Sequence, residues 1–358
     1  MRRELFAMRE VLIAVGVLGA ILLVAVALLI DTSQPSTNWR FHADGAVVAP
    51  LLLVDGVAYV GDEAGSFHAI DLATGDARWR VTLDGPIRLG AAEAGELIVV
   101  RTDAGSVVAL EAAGGAVRWG ADLGRPVPSA PVVGAGSVFA GTREGDLIAL
   151  DAATGVERWR TTLGCSVRST AAVAGPLVFA GSDRLLAALD AADGDVVWSA
   201  ELDAPVESTI VVDGDVLYAA ASPHLVALDR ETGSERWRVN IGGAAIGRPE
   251  VSDDLLFVER APDLIALSRT DGRERWRFTT NSFVVASPSI ASNLVLAGTH
   301  AGYLYGLDAA TGDQRWRYQA NGAIRSTPRH VDDVIVFGSR DGVVYSIEAR
   351  DAQPLETP

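Results

Sequence analysis

A stretch of ten residues decides the fold: Leu150-Asp151-Ala152-Ala153-Thr154-Gly155-Val156-Glu157-Arg158-Trp159. Close copies of it recur along the chain, among them the residues from Ile70 to Trp79 and from Leu307 to Trp316. An Asp side chain can accept hydrogen bonds from backbone N–H groups two residues further on, and Gly readily adopts the positive φ that ends such a turn. Each copy therefore predicts a tight turn followed by a strand that carries Trp.

The tryptophans of the chain all follow this period. The eight are spaced 39 or 40 residues apart, at Trp39, Trp79, Trp119, Trp159, Trp198, Trp237, Trp276 and Trp316. Short alternating apolar runs lie between them; in the third unit they occupy residues 127–133, 137–142, 147–151 and 158–163. Four strands in about forty residues are typical of a propeller blade, whereas a helical repeat would show a period of about 3.6. The sequence therefore predicts an all-β, eight-bladed β-propeller of four-stranded blades over residues 37–350.

The two ends of the repeat region predict how the ring closes. The last group of three strands ends at Glu348 with no tryptophan after it, and Trp39 stands before the first group of three with none before it. We therefore expect the strand at residues 37–42 to complete the eighth blade beside residues 343–348. This pairing would close the ring and remove a free sheet edge.

Composition excludes several classes of function. A net charge of −16 argues against nucleic-acid binding, which depends on a basic face. The chain contains no lysine, which excludes Schiff-base catalysis and a phosphate-binding loop built on lysine. Its single cysteine, Cys165, can form neither an intrachain disulfide nor a cysteine metal cluster, and no cysteine near residue 30 offers a site for a lipid anchor.

The N-terminal segment predicts a membrane anchor. Residues 11–30 carry no charge, and twenty residues of helix span about 30 Å, the thickness of a bilayer core. Arg2, Arg3 and Arg9 precede this run, so the positive-inside rule places the N-terminus in the cytoplasm. A cleaved signal peptide is the alternative, but its apolar region is usually shorter, about 7–15 residues, and the small-residue cleavage pattern is poor here.

The predicted organisation and location follow from these segments. The chain divides into a cytoplasmic stub (1–10), a single-pass transmembrane anchor (11–30), a linker (31–36), the propeller (37–350) and a tail (351–358). We expect the protein in the inner or cell membrane, with the propeller on the periplasmic or extracellular side.

The repeat resembles the tryptophan-docking repeat of pyrroloquinoline-quinone (PQQ)-like propellers. The shared pattern is Ala-x-Asp-x-x-Thr-Gly-x-x-x-Trp, whose best copies run from Ala149 to Trp159 and from Ala227 to Trp237. The likeness extends over residues 39–348. In that family the tryptophan packs between neighbouring blades, so the resemblance implies that all eight tryptophans are structural.

This family has an enzymatic and a non-enzymatic branch. Quinoprotein dehydrogenases typically carry two adjacent cysteines, insertions between blades, and acidic and amide ligands for calcium. With one cysteine and no insertions, the chain is similar to the non-enzymatic, BamB-like branch. It departs from the BamB-like lipoproteins in its predicted transmembrane anchor. The resemblance therefore implies no catalytic residues and no cofactor.

Metal-binding patterns are weak. The pairs Asp193/Asp195 and Asp213/Asp215 are not followed by a twelve-residue calcium loop ending in Glu, so solvated turn aspartates are favoured. The five histidines fall at different positions of the repeat, and no metal triad is predicted.

Charged residues recur nine positions after several tryptophans. That position is predicted to open the first strand of each blade, which lines the central channel. The candidates for a binding site at the channel mouth are Arg88, Arg168, Glu207 and Arg325, with Arg248 two positions further along its own unit. An arginine-lined mouth could hold an anion or an acidic partner segment. The alternative is that a wet channel mouth simply tolerates charge.

A second candidate site lies in the hairpins between second and third strands. These hairpins are one residue shorter in units four, five and six, which are neighbours in the ring. Arg184, His224 and Asp263 mark them as a candidate rim site for a partner, because loops on a rigid scaffold commonly carry binding residues. Drift among repeats is the alternative.

These features predict a non-catalytic, membrane-anchored extracytoplasmic propeller. It would bind another envelope or membrane protein, as a scaffold or an outer-membrane protein assembly factor. Two alternatives stay open: a PQQ-dependent quinoprotein dehydrogenase, and a binding module for an extracellular polymer or anion.

Overall fold

A computed structural model describes residues 34–124, 127–164, 166–206, 208–243 and 247–349. Within them, thirty-two strands form eight antiparallel sheets of four strands each. The predicted all-β, eight-bladed propeller of four-stranded blades is confirmed. The predicted anchor at 11–30 lies outside the described residues, and those residues include no helix with the length and apolarity needed to cross a membrane.

The strands have the following bounds. They are β1 Thr37–His42, β2 Leu52–Val54, β3 Val57–Gly61, β4 Ser66–Asp71, β5 Ala77–Thr82, β6 Ala92–Ala94, β7 Leu97–Arg101, β8 Ser106–Glu111, β9 Val117–Asp122, β10 Val132–Gly134, β11 Ser137–Gly141, β12 Asp146–Asp151, β13 Glu157–Thr162, β14 Ala172–Ala174, β15 Leu177–Ser182, β16 Leu185–Asp190, β17 Val196–Glu201, β18 Val211–Asp213, β19 Val216–Ala221, β20 His224–Asp229, β21 Glu235–Asn240, β22 Glu250–Val251, β23 Leu255–Arg260, β24 Asp263–Ser268, β25 Glu274–Thr279, β26 Ser289–Ala291, β27 Leu294–Gly298, β28 Tyr303–Asp308, β29 Gln314–Gln319, β30 Arg329–Val331, β31 Val334–Gly338 and β32 Val343–Glu348. Blade one comprises β2 to β5, and the blades continue in fours to blade seven; blade eight combines β30 to β32 with β1.

The hydrophobic core lies between the blades. The second and third strands of each blade are buried on both faces, as in β3, where every residue is buried. One core cluster joins Val99 and Trp119 of blade two to Val138 and Ile148 of blade three. First strands of consecutive blades contact one another, as β10 does with β14, and so form the inner wall of the ring. Each sheet is therefore held by its two neighbours.

The ring closes in blade eight, as the sequence predicts. β1 pairs antiparallel with β32, from Thr37 opposite Ile347 to His42 opposite Val343. The Thr37 hydroxyl lies 2.8 Å from the hydroxyl of Tyr318 in blade seven. The chain's first and last strands thus share one sheet.

The tryptophans lie between adjacent blades. The indole N–H of Trp159 donates to the carbonyl of Ala191 in the next blade at 3.1 Å, and a Cβ at Gly194 would come within 2.6 Å of the indole ring. Equivalent bonds link Trp39 to Leu72, Trp79 to Ala112, Trp119 to Ala152, Trp198 to Arg230, Trp237 to Arg269 and Trp276 to Ala309. The indole N–H of Trp316 has no hydrogen-bond partner within the described residues.

The turn motif adds an ion pair that the sequence analysis overlooked. The Oδ1 of Asp151 accepts hydrogen bonds from the backbone N–H groups of Ala153 and Thr154, and Gly155 has a φ of +73°. The Arg158 guanidinium also lies 2.6 Å from Oδ2 of Asp151. This arginine, with a further hydrogen bond from Thr154, lowers the pKa of Asp151 to about 2.

The first strands are shorter than predicted. In the third unit the sequence predicts a strand at 127–133, but β10 comprises only Val132–Gly134. Pro128 and Pro131 lack the N–H group that a sheet ladder needs, so the residues before β10 form a connection. At the six of these positions that the structure describes, the residue nine after the tryptophan lies in this connection, so the prediction that it opens the first strand is wrong.

Candidate functional site

The described members of both sets of predicted binding residues lie on one face of the ring. The connections from each fourth strand to the next first strand emerge on the same side as the hairpins between second and third strands. Arg88, in a connection, joins the two kinds of loop through its Nε, which lies 2.9 Å from Oε1 of Glu63 in a hairpin. We call this side, formed by the connections and those hairpins, the mouth face.

A cavity of about 370 Å³ occupies the central channel at the mouth face, and residues from all eight blades line it. Among the described residues, its only charged lining residues are Arg168, Arg248 and Arg329; the others are small, apolar or hydroxyl-bearing. The cavity is therefore cationic inside a strongly acidic chain.

Arg329 is a channel residue that sequence reasoning missed. Its Nε donates to the carbonyl of Leu51 at 3.3 Å. Burial lowers the pKa of Arg329, and the positive charge of Arg248 lowers it further, while Glu250 opposes the shift. Arg329 stands thirteen residues after a tryptophan, where most units carry a small or apolar residue, and that contrast could have identified it.

Glu250 is the acidic residue beside these arginines. Its Oε2 lies 3.3 Å from the Arg248 guanidinium. Burial raises the pKa of Glu250, although Arg248 and Arg329 counteract the shift. One carboxyl group thus faces two arginines, which leaves a net positive charge there.

The structure separates the predicted channel-mouth residues. Arg168 and Arg248 line the channel cavity together. Arg88 lies outside that cavity, paired with Glu63 and Asp103. Arg325 lines a second cavity, described below. Glu207 lies outside the described residues.

The shortened hairpins occur where the sequence predicts them. In blade four only two residues separate β15 from β16, whereas four separate β3 from β4 in blade one. Arg184 is exposed in that short hairpin, and His224 begins β20. Asp263 is buried and already bonded, with Oδ2 2.7 Å from Arg260 and 3.1 Å from Arg277. Arg184 is therefore more available to a partner than Asp263.

A second cavity, of about 560 Å³, lies on the mouth face and is lined by residues of blades six, seven and eight. We call it the side pocket; it is lined by Gly247, Glu259, Ala261, Phe283, Val284, Val285 and Arg325. Phe283 is 60% exposed, one of the few large apolar side chains with such exposure among the described residues. An exposed aromatic at the wall of a concave, largely apolar cavity is typical of a binding site.

Glu259 arises from a double departure from the repeat. In blade four the Ser169 hydroxyl accepts a hydrogen bond from the backbone N–H of Gly181 at 2.7 Å. In blade six, Gly247 replaces that serine and Glu259 replaces that glycine. The Glu259 Oε1 accepts a hydrogen bond from the backbone N–H of Gly247, so its side chain occupies the space that the missing serine leaves.

The Glu259 carboxyl group is only half satisfied. The residue is 5% exposed, and its Oε2 has no hydrogen-bond partner within the described residues. Burial raises the pKa of Glu259 to about 7, against which its backbone hydrogen bonds are a smaller effect. Leaving a buried acceptor without a hydrogen bond costs free energy, so native proteins contain few such groups. Those that do occur are commonly found at functional sites.

One group of side chains has the composition of a metal site. Asp44, Asp62 and His68 place their ligand atoms within 4.8 Å of one another, where blade eight meets blade one. One imidazole and two carboxylates would suit a divalent transition metal. However, Asp62 already accepts four backbone N–H bonds, and Arg80 lies 2.9 Å from Asp44. These contacts satisfy the two carboxylates without an ion, whereas Nδ1 of His68 has no hydrogen-bond partner within the described residues.

The aspartate pairs considered for calcium already have partners within the protein. Asp213 pairs with Arg269, and Asp215 lies 2.7 Å from Arg236. The Oδ1 of Asp193 accepts a hydrogen bond from the backbone N–H of Asp195 at 3.0 Å, as in the other turns.

Solved structures with this fold have diverse functions. BamB from Moraxella catarrhalis is 19% identical, with a TM-score of 0.78 over 88% of this chain and 100% of that chain. Quinohemoprotein alcohol dehydrogenase from Comamonas testosteroni is 16% identical, with a TM-score of 0.75 over 90% and 78%. Sqt1 from Saccharomyces cerevisiae is 11% identical, with a TM-score of 0.78 over 89% and 100%. Likeness at these identities shows the fold alone.

Sequence comparison identifies the family. No curated protein matches the chain. A sequence model described as "Outer membrane protein assembly factor BamB" matches residues 14–126, 63–209, 182–286 and 260–355. Since these overlapping matches extend over well over half of the chain, the protein belongs to the family of the outer membrane protein assembly factor BamB.

Proposed function

We propose that this protein is a membrane-anchored, extracytoplasmic scaffold that binds an envelope protein through its mouth face, as an assembly factor for outer-membrane proteins. The family match over residues 14–355 carries this proposal. The uncharged run at 11–30, preceded by Arg2, Arg3 and Arg9, supports the anchor and the side of the membrane.

The mouth face is the part of the surface best suited to a protein partner. It combines the exposed Phe283 with the short hairpin that carries Arg184. Aromatic and arginine side chains are enriched at the centres of protein interfaces. We propose no catalytic role, because the single Cys165 cannot supply the adjacent cysteine pair of the quinone enzymes that the repeat resembles.

Site-specific photo-crosslinking in the native membrane tests this proposal. The photoreactive residue p-benzoylphenylalanine replaces Phe283 on the mouth face or, as the control, Val156 in a turn on the opposite face. Val156 is 65% exposed, so the two positions are comparably accessible. We expect a discrete adduct with one envelope protein from position 283 and none from position 156. Equal adducts from both positions, or none from either, would contradict the proposal.

A second candidate function, binding of an anion or an acidic segment, is favoured by the channel cavity. Arg168, Arg248 and Arg329 line it, and Glu250 lies beside Arg248. Guanidinium groups that line a cavity can bind carboxylates and phosphates. Citrate should bind the full chain, and Arg168→Gln with Arg248→Gln should weaken it about tenfold or more. Arg143→Gln, an exposed arginine on the same face, is the control; equal affinity in all variants would rule the channel out.

A further inference from the structure

We propose that the side pocket, at blades six to eight, binds the carboxyl-terminal residue of a peptide chain, one that carries an apolar side chain. The inference rests on the proposed function only in that its occupant is a segment of a protein. Its three parts are a hydrogen-bond acceptor, an apolar wall and a cation, which line one cavity of about 560 Å³.

The acceptor is Glu259. Its Oε1 is occupied by the backbone N–H of Gly247, whereas its Oε2 has no partner among the described residues. A backbone N–H of a bound peptide would satisfy this oxygen and remove the cost of leaving a buried acceptor unpaired. Blades three to five place a serine and a glycine or alanine at the two corresponding positions, so this acceptor distinguishes blade six from them.

The apolar wall is formed by Phe283, Val285 and Ala261. Phe283 is 60% exposed, so its ring is available to a second apolar group. Burying the ring against a leucine-sized side chain removes apolar surface from water, which favours binding. The pocket's volume lies within the range of about 300–1,000 Å³ that is usual for ligand pockets.

The cation is Arg325. Its side chain is exposed, and within the described part of the chain it makes no hydrogen bond or ion pair. By contrast, Arg88 stands at the same repeat position in blade two and is paired with Glu63 and Asp103. In a chain with a net charge of −16, many of the described arginines pair with an acidic residue, whereas Arg325 is free to bind an external carboxylate.

These three groups together define the class of ligand. A simple amine would use Glu259 but would be repelled by Arg325, and a simple anion would use Arg325 but leave Glu259 unpaired. The last residue of a peptide offers an N–H donor, a side chain and a terminal carboxylate within one residue. Capture of a terminal carboxylate is a recurring mode of peptide recognition.

A panel of small peptides on the full chain tests the inference. The probe is acetyl-Ala-Leu with a free carboxylate; acetyl-Ala-Leu-amide lacks the negative charge, and acetyl-Ala-Ala lacks the large side chain. Affinity is measured by ligand-observed NMR titration. We expect both altered peptides to bind about tenfold more weakly than the probe, because each loses one of the three interactions.

Variants of the pocket assign each interaction. Arg325→Gln should abolish the preference for the free carboxylate over the amide, and Phe283→Ala should abolish the preference for leucine over alanine. Glu259→Gln keeps an acceptor for Gly247 but presents a donor in place of Oε2, and should weaken all three peptides. Arg143→Gln, an exposed arginine of blade three with no partner among the described residues, should change nothing.

Two outcomes would overturn the inference: an amide that binds as tightly as the free acid, or a preference that survives Arg325→Gln. Arg325 is exposed, so that variant is expected to fold; its melting temperature checks this. A failure here leaves the crosslinking from position 283 to decide the proposed function on its own. Conversely, peptide binding without any crosslinked partner would support the pocket and not the scaffold.

Discussion

At the scale of single residues, the docking tryptophans determine how well neighbouring blades adhere. Trp159 is 9% exposed and contacts Phe139 of its own blade with ring centroids 5.7 Å apart. Its indole N–H is bonded to the next blade, so one side chain supplies both apolar contact and a directional bond across the boundary. Gly194, which the ring covers, cannot carry a side chain without displacing it.

Replacing Trp159 with Ala should reduce stability by about 3–5 kcal/mol, because the change leaves a cavity and an unpaired carbonyl at Ala191. Chemical denaturation of the full chain measures the difference. Val156→Ala is the matched control, since Val156 is 65% exposed and lies three residues away in the same repeat. A loss below about 1 kcal/mol at Trp159 would show that the indole does not hold the blades together.

Glu259 should make stability depend on pH in the opposite direction to an ordinary ion-paired carboxylate. Its pKa is about 7 in the folded protein against 4.5 in the unfolded chain, so the folded state binds the proton more tightly between these values. Stability therefore falls as pH rises from 4.5 to 7, by a total on the order of 3 kcal/mol. The Glu259→Gln variant does not titrate at this position. The difference between its melting temperature and that of the natural protein should therefore shift in favour of the variant as pH rises from 4.5 to 7. A constant difference from pH 4 to pH 8 would contradict the shift.

At the scale of elements, the turn and strand after it were predictable, whereas the connection before each first strand was not. The Asp-x-x-Thr-Gly spacing specifies its own hydrogen bonds, which are local in sequence. The run at 127–133 has the apolar content of a strand, which masks the connection that its two prolines impose on residues 127–131. The channel cavity could not be predicted, because Arg329 and Arg168 meet only where the eight blades converge.

The turn of blade three should contribute stability that acid removes. The pKa of Asp151 is lowered to about 2 from 3.8, chiefly by Arg158, so the ion pair is complete above pH 4 and is lost as pH falls towards 2. Asp151→Asn keeps an acceptor for Ala153 and Thr154 but loses the charge. We expect a lower melting temperature than the natural protein at pH 7 and a difference that shrinks towards pH 2. Asp183→Asn, which changes an exposed residue of a hairpin, is the control. A difference in melting temperature between Asp151→Asn and the natural protein that grows as pH falls would contradict the assignment.

At the scale of the whole molecule, the direction of β1 fixes which face lies near the predicted anchor. Every fourth strand begins at the turn side of the ring and runs towards the mouth face, and β1 is the fourth strand of blade eight. Thr37 is therefore on the side opposite the mouth face. The linker at 31–36 can reach no more than ~22 Å, so an anchor at 11–30 would hold the turn side close to the bilayer.

We therefore expect the mouth face to point away from the membrane. Fluorescence energy transfer from a dye on a cysteine at position 156 to a lipid-borne acceptor should be efficient, and transfer from position 283 should be weaker. The full chain with Cys165 replaced by Ser provides a background with one label. Equal transfer from both positions would mean that the ring stands on its edge, and stronger transfer from position 283 would reverse the orientation.

The pairing of the first and last strands also has a mechanical consequence. The hydrogen bonds between β1 and β32 are perpendicular to the strands, as in any antiparallel pair. A tension applied to the chain before Thr37 would act along β1, so these bonds would bear the load in parallel, as shear, and would not open one after another. The pairing of β1 with β32 that closes the ring is thus also where a membrane anchor would apply force. Its orientation means that this force would load all the hydrogen bonds of the strand together.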